Sequence, residues 1–116
     1  MGSLRVVYDA EGDILDVDFR IIGKKPQKGV ELHDNITIWT DADGAHVLRL
    51  MLLSYSRLLE QPSTTLLGLK KLPARRRTGL LKLLTSDPLK RFLVCVNEKE
   101  LRFRVAEPGI TAGAAA

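Results

Sequence analysis

The sequence predicts an α+β fold: an antiparallel β-sheet of hairpins with two short helices packed on one face. Three observations carry that expectation. Several segments alternate apolar and polar residues, the period of a half-buried strand. The links between them are short and rich in Asp, Asn and Gly, as hairpin turns require. Two segments, near 54–60 and 73–85, switch to a helical period. The 116 residues are the length of one domain. Residues 1–110 are therefore assigned to a single domain, and residues 111–116, Thr-Ala-Gly-Ala-Ala-Ala, to a disordered tail with nothing to pack.

The elements follow in order. Leu4-Arg-Val-Val-Tyr8 is rich in β-formers and reads as a first strand. Asp9-Ala-Glu-Gly-Asp13 turns the chain, with Gly12 as the permissive residue. In Ile14–Arg20, Leu15, Val17 and Phe19 point one way and Asp16, Asp18 and Arg20 the other, which completes a hairpin. A polar loop over 23–29 leads to Val30 and Leu32, and Asn35–Thr40 alternates again; one bent strand and two strands are both compatible with this stretch. Asp41-Ala-Asp-Gly44 is a hairpin turn, because Asp and Gly tolerate positive φ. The run Val47–Leu53, broken only by Arg49, reads as a central strand covered on both faces.

The second half, 60–106, is read as a helix plus a C-terminal hairpin. Ser54 is placed as the cap of a short helix that Pro62 stops. Thr64–Leu72 fits no single period. Pro73 suits the first turn of a helix running to Leu84, with Leu80, Leu81 and Leu84 as its buried stripe. Ser86-Asp-Pro88 breaks it. Phe92–Val96 and Leu101–Val105 then form a hairpin in which Leu101, Phe103 and Val105 face inward and Arg102 and Arg104 outward.

Composition narrows the class. Apolar residues make up 45% and charged residues 28%, a globular balance that excludes a disordered chain. The single cysteine, Cys95, excludes an intrachain disulfide, and in its apolar run it reads as a buried, unreactive thiol. No stretch approaches the roughly 18 consecutive apolar residues of a membrane span, and no basic-then-apolar leader pattern is present. A cytoplasmic location is expected.

Residues 4–59 resemble a small prokaryotic family, domain of unknown function (DUF) 2283. The resemblance rests on Tyr8-Asp-Ala-Glu-Gly-Asp-Ile-Leu-Asp-Val-Asp-Phe19, on Asp43-Gly44 with the apolar strand to Leu53, and on Ser54-Tyr-Ser-Arg-Leu58. It implies an antiparallel sheet followed by a helix and assigns no activity. Where the family carries Gly-Ile-Glu-Ile-Leu, this chain has Arg49-Leu-Met-Leu-Leu53, so Met51 replaces the family's glutamate.

Asp9, Glu11, Asp13, Asp16 and Asp18 could in principle hold a hard cation. Their loop is shorter than a calcium loop, and the alternation of Asp16 and Asp18 is that of a solvated strand face. His33 and His46 could meet across strands, but two histidines without a third ligand make a weak metal site. Ser54, Ser56 and Ser63 lack a nucleophile-elbow setting. No cofactor is predicted, and no catalytic or metal-binding residue is assigned.

The charge layout is the informative feature. Residues 1–60 hold 7 Lys/Arg against 10 Asp/Glu, a net of −3, and residues 61–116 hold 11 against 4, a net of +7. Between Gln61 and Ser86 there is no acid, while Lys70, Lys71, Arg75, Arg76, Arg77 and Lys82 are all present. These six form a candidate polyanion-binding segment. The functional expectation is a non-catalytic protein-interaction module, acting on a protein partner or as a homo-oligomer. The alternative is a nucleic-acid-associated, antitoxin-like regulator using segment 70–82. Trp39, Met51 and the 92–96 run are the apolar residues expected to be left over for self-association.

Overall fold

A computed structural model of the chain describes residues 4–19, 23, 25 and 28–107. The expected tail, 111–116, lies outside these residues, as do Arg20 and positions 24, 26 and 27 of the polar loop. Among the described residues, eight strands and three short α-helices follow one another: β1 (Arg5–Asp9), β2 (Ile14–Asp18), β3 (Lys28–His33), β4 (Ile36–Thr40), β5 (Val47–Leu53), α1 (Tyr55–Glu60), β6 (Thr64–Thr65), α2 (Leu67–Lys70), α3 (Ala74–Leu84), a single 3-10 turn (Leu89–Arg91), β7 (Leu93–Asn97) and β8 (Arg102–Val105). The α+β class and the antiparallel pairing stand as expected. The C-terminal hairpin, however, belongs to a sheet of its own: five strands in the order β1-β2-β5-β4-β3 form one sheet, and three in the order β6-β8-β7 form another.

Alternation in the sequence becomes two-sidedness in the larger sheet. Val17, Leu50, Ile38 and Val30 occupy one cross-strand row, and all four are buried. The next row of the same face carries Leu15, Leu52 and Ile36. This face joins one continuous core with Leu58 of α1, Leu69 of α2, Leu80 and Leu84 of α3, and Phe103 and Val105 of β8. The helices and the second sheet therefore cover the same side. Phe19 and Phe92 meet edge to face within this core, their centroids 6.2 Å apart.

Two expectations need correction. β5 is central but covered on one face only, because Arg49 and Met51 are half-exposed on the other. In the β1–β2 turn, Asp13 rather than Gly12 takes the left-handed conformation, at φ 55°. Asp is among the residues that tolerate it. The open question over 30–40 resolves into two strands, β3 and β4, paired across Asp34-Asn35.

The two edges of the five-stranded sheet are treated differently. Helix α2 lies against β3, and it does so through Gly68. A Cβ at that position would sit 1.9 Å from the Glu31 carbonyl oxygen, so only glycine permits the approach. β1, at the far edge, is exposed along all five residues.

Candidate functional site

The acidic residues after β1 do not converge. Asp13 binds protein: its carboxylate accepts from the Tyr8 hydroxyl at 2.7 Å, from the Ser56 hydroxyl at 2.6 Å and from the Ser56 backbone N–H at 3.0 Å. The Ser56 hydroxyl foremost, and Tyr8 next, hold the Asp13 carboxyl below the usual range. Asp9 accepts from the Glu11 N–H within its own turn. Asp16 takes two bonds from Arg49, one from Nε at 3.0 Å and one from a terminal guanidinium nitrogen. Among the described residues, no three His, Cys, Asp or Glu side chains are grouped to hold a metal ion.

The outer face of the sheet is a polar ladder built on an aromatic residue. Trp39 lies over Gly29, whose missing Cβ would be 3.2 Å from the indole Nε1. The Arg49 guanidinium sits 5.0 Å from the Trp39 ring centroid while bonding Asp16. Trp39 is thus floored by glycine and roofed by a cation, a contact worth about 0.5–1 kcal/mol at a partly exposed site.

The two histidines do not meet. His33, at the end of β3, accepts from the Asn35 N–H through Nδ1 at 3.1 Å. At the opposite end of β4, His46 bonds Asp41 at 3.0 Å. Asp41 is a buried turn organiser: it also accepts from the Ala45 and His46 N–H groups, and these bonds, His46 first, bring its carboxyl down to about 2. Cys95 is half-buried, and burial pushes its thiol up.

The basic segment is divided by the fold. Arg77 turns inward, donating from one terminal nitrogen to the Leu72 carbonyl at 2.9 Å and the Lys70 carbonyl at 3.4 Å. It closes the last turn of α2 onto α3. Lys70 and Lys71 are exposed, and Lys71 shares a cleft with Glu31 and Asp34. Arg75 and Arg76 are exposed and line a cleft of about 430 Å³ with Lys28, Thr40, Asp43 and Leu80. Lys82 is exposed as well. Seven residues of helix bring it within about 20° of Arg75. Lys28 joins the arginines through packing alone, because nothing in the sequence places β3 beside α3.

Apolar exposure also falls elsewhere than expected. Phe92 and Leu93 are core, and of the 92–96 run only Val96 is exposed as a large apolar side chain. Leu53 and Leu67 are exposed singly, and the one consecutive run among the described residues lies on β1, where Val6, Val7 and Tyr8 are 37%, 48% and 48% exposed. Tyr8 keeps a tilted ring contact with Tyr55 of α1, at 5.9 Å between centroids. Among the described residues, no helix is long and apolar enough to cross a membrane. No family model, no curated protein and no solved structure matches the chain.

Proposed function

We propose that the chain is a non-catalytic protein-interaction module whose working surface is the β1 edge. The observation that carries this reading is the run of three exposed apolar side chains on an edge strand, at the far side of the sheet from the edge against which α2 packs. An edge strand offers unpaired backbone N–H and C=O groups to another chain, and exposed side chains on both its faces add grip. The groups best suited to chemistry are engaged structurally: Asp13 holds α1, Asp16 holds Arg49, and Asp41 organises its turn. The order β1 to β5 followed by α1 agrees with the antiparallel sheet and helix that the resemblance to DUF 2283 implies, a resemblance that adds no activity.

Co-purification from the organism that makes the protein tests this reading, comparing wild type with Val7→Lys. The variant places a charge in the middle of the edge strand and should lose the captured partner, its own untagged copies included. Equal capture by both proteins would move the interaction away from β1.

A second reading keeps the basic surface. Lys28, Arg75 and Arg76 around one cleft, with Lys82 farther along the same helix, form a cationic patch suited to phosphate oxygens, as an antitoxin-like nucleic-acid binder would need. Its test is binding of a short DNA duplex at low and moderate salt, for wild type and for Lys28, Arg75 and Arg76 changed together to Gln. Steep salt dependence lost in the variant supports it; equal binding, or none at low salt, removes it.

A further inference from the structure

We infer that the partner taken up by the β1 edge is a second copy of this chain, paired antiparallel about Val7. This inference rests on the reading of β1 as the working edge and gives that edge one occupant. The strand reads Arg5-Val-Val-Tyr-Asp9, with a cation at one end, an anion at the other and apolar residues between. Antiparallel pairing centred on Val7 sets Arg5 opposite Asp9 of the second copy and Asp9 opposite its Arg5. Val6 then lies opposite Tyr8, and Val7 opposite its own equivalent. Residues directly opposite across an antiparallel pair have their Cβ atoms about 5 Å apart, close enough for both ion pairs and both apolar pairs to form.

Other pairings lose this complementarity. A parallel arrangement would set Arg5 beside Arg5 and Asp9 beside Asp9. Moving the centre to Val6 would put Arg5 opposite Val7; moving it to Tyr8 would put Val7 opposite Asp9 and leave Arg5 facing Glu11, which lies in the turn beyond the strand. The centred register also keeps each side chain on its proper face, because it joins odd residues to odd and even to even. Val6 and Tyr8 continue the rows of Val17 and Leu15 on the covered face, while Arg5, Val7 and Asp9 continue those of Asp18, Asp16 and Ile14 on the outer face. The product is a ten-stranded sheet with both covering layers on one side.

The strand lacks the features that usually prevent such pairing. Edge strands are commonly protected by a central Lys, a proline, a bulge or a covering element. α2 packs against β3 at Glu31 and Leu32, the pairing of β7 is irregular between Cys95 and Asn97, and β6 is only two residues long. β1 is regular over five paired residues and carries its charges only at its ends. A ribbon this short makes a small interface, so association is expected in the micromolar range or weaker.

The test is sedimentation equilibrium of the full chain from about 10 µM to about 1 mM, a span that brackets such affinities. Wild type should show a monomer–dimer equilibrium. Arg5→Asp alone faces acid with acid, and Asp9→Arg alone faces base with base. Each should weaken the dimer by about tenfold or more, because two symmetric cross-strand pairs are lost together. Mixed in equal amounts, the two single variants are complementary and should form a heterodimer of near wild-type affinity. That mixing result cannot come from a folding defect in either variant. A wild type that stays monomeric at the highest concentration overturns the self-pairing; so does a dimer insensitive to both changes, or a mixture no stronger than its components. If wild type is monomeric while capture of a different protein still depends on Val7, self-pairing falls and the interaction reading stands.

Discussion

Asp13 caps helix α1 from 43 residues away, its carboxylate accepting both the backbone N–H and the hydroxyl of Ser56. Ser54, the residue in the N-cap position, does not do so: it sits in the left-handed region at φ 52° and makes no side-chain cap bond. Asp13 also accepts from Tyr8, so a single carboxylate ties β1 to α1. Asp13→Asn should therefore lower the melting temperature clearly more than Asp9→Asn, whose carboxylate only closes its own turn. Ser54→Ala should change stability less than Asp13→Asn. Thermal melts of the three variants check both orderings.

Two helical glycines should respond to alanine with opposite signs. Gly79 lies inside α3, and a Cβ there meets nothing within 4 Å. Gly79→Ala should stabilise the protein by about 0.5–1 kcal/mol, the helix-propensity difference. At Gly68 the same substitution drives a methyl group into the Glu31 carbonyl, so α2 must lift from β3. Gly68→Ala should be net destabilising despite the gain in propensity. Urea denaturation of both variants reads the two signs.

The three consecutive arginines should separate in stability experiments. Arg77→Gln removes the charged donor that holds the Lys70 and Leu72 carbonyls and should cost about 1–3 kcal/mol. Arg75→Gln and Arg76→Gln, both exposed, should stay within about 0.5 kcal/mol of wild type. Three equal values from denaturant melts would contradict the inward placement of Arg77. A binding test that changes all three together would confuse folding with contact, and Lys28 is the proper third site.

Acid should expose the role of Asp41. Its carboxyl titrates at about 2 in the folded protein, chiefly because His46 bonds it. In the unfolded chain it titrates at about 3.9. Above about pH 4 the ionised form contributes its full stabilisation; as pH falls toward about 2, the unfolded chain takes up a proton that the folded one resists, and that contribution is lost. Asp41→Asn should thus be less stable than wild type at pH 5, with the two melting curves converging by about pH 2. A gap that stays constant across this range would mean that the carboxylate charge does not matter.

The sequence made the sheet legible where one face of a strand is wet. Leu15, Val17 and Phe19 against Asp16 and Asp18 could be read directly, and so could Leu101, Phe103 and Val105 against Arg102 and Arg104. Short elements carry too few residues to show a period, which is why β6, at two residues, and α2, at four, merged into one ambiguous stretch. Val47–Leu53 looked doubly buried because Met51 is apolar, although it lies on the outer face next to Thr37 and Asp16. Long-range facts left no local trace: the Asp13 cap, the inward turn of Arg77 and the arrival of Lys28 beside Arg75 all depend on packing. The exposure of Val6, Val7 and Tyr8 belongs to the same group, since strand order alone puts β1 at an edge.

Self-pairing of the β1 edge should show in its own backbone amides. Hydrogen–deuterium exchange at about 10 µM and about 1 mM protein tests it most directly, because an amide that gains a cross-strand partner slows its exchange. Added protection is expected in residues 5–9 at the higher concentration, with β3 and α3 unchanged. Exchange in residues 5–9 that is identical at the two concentrations, or new protection confined to α3, would contradict it.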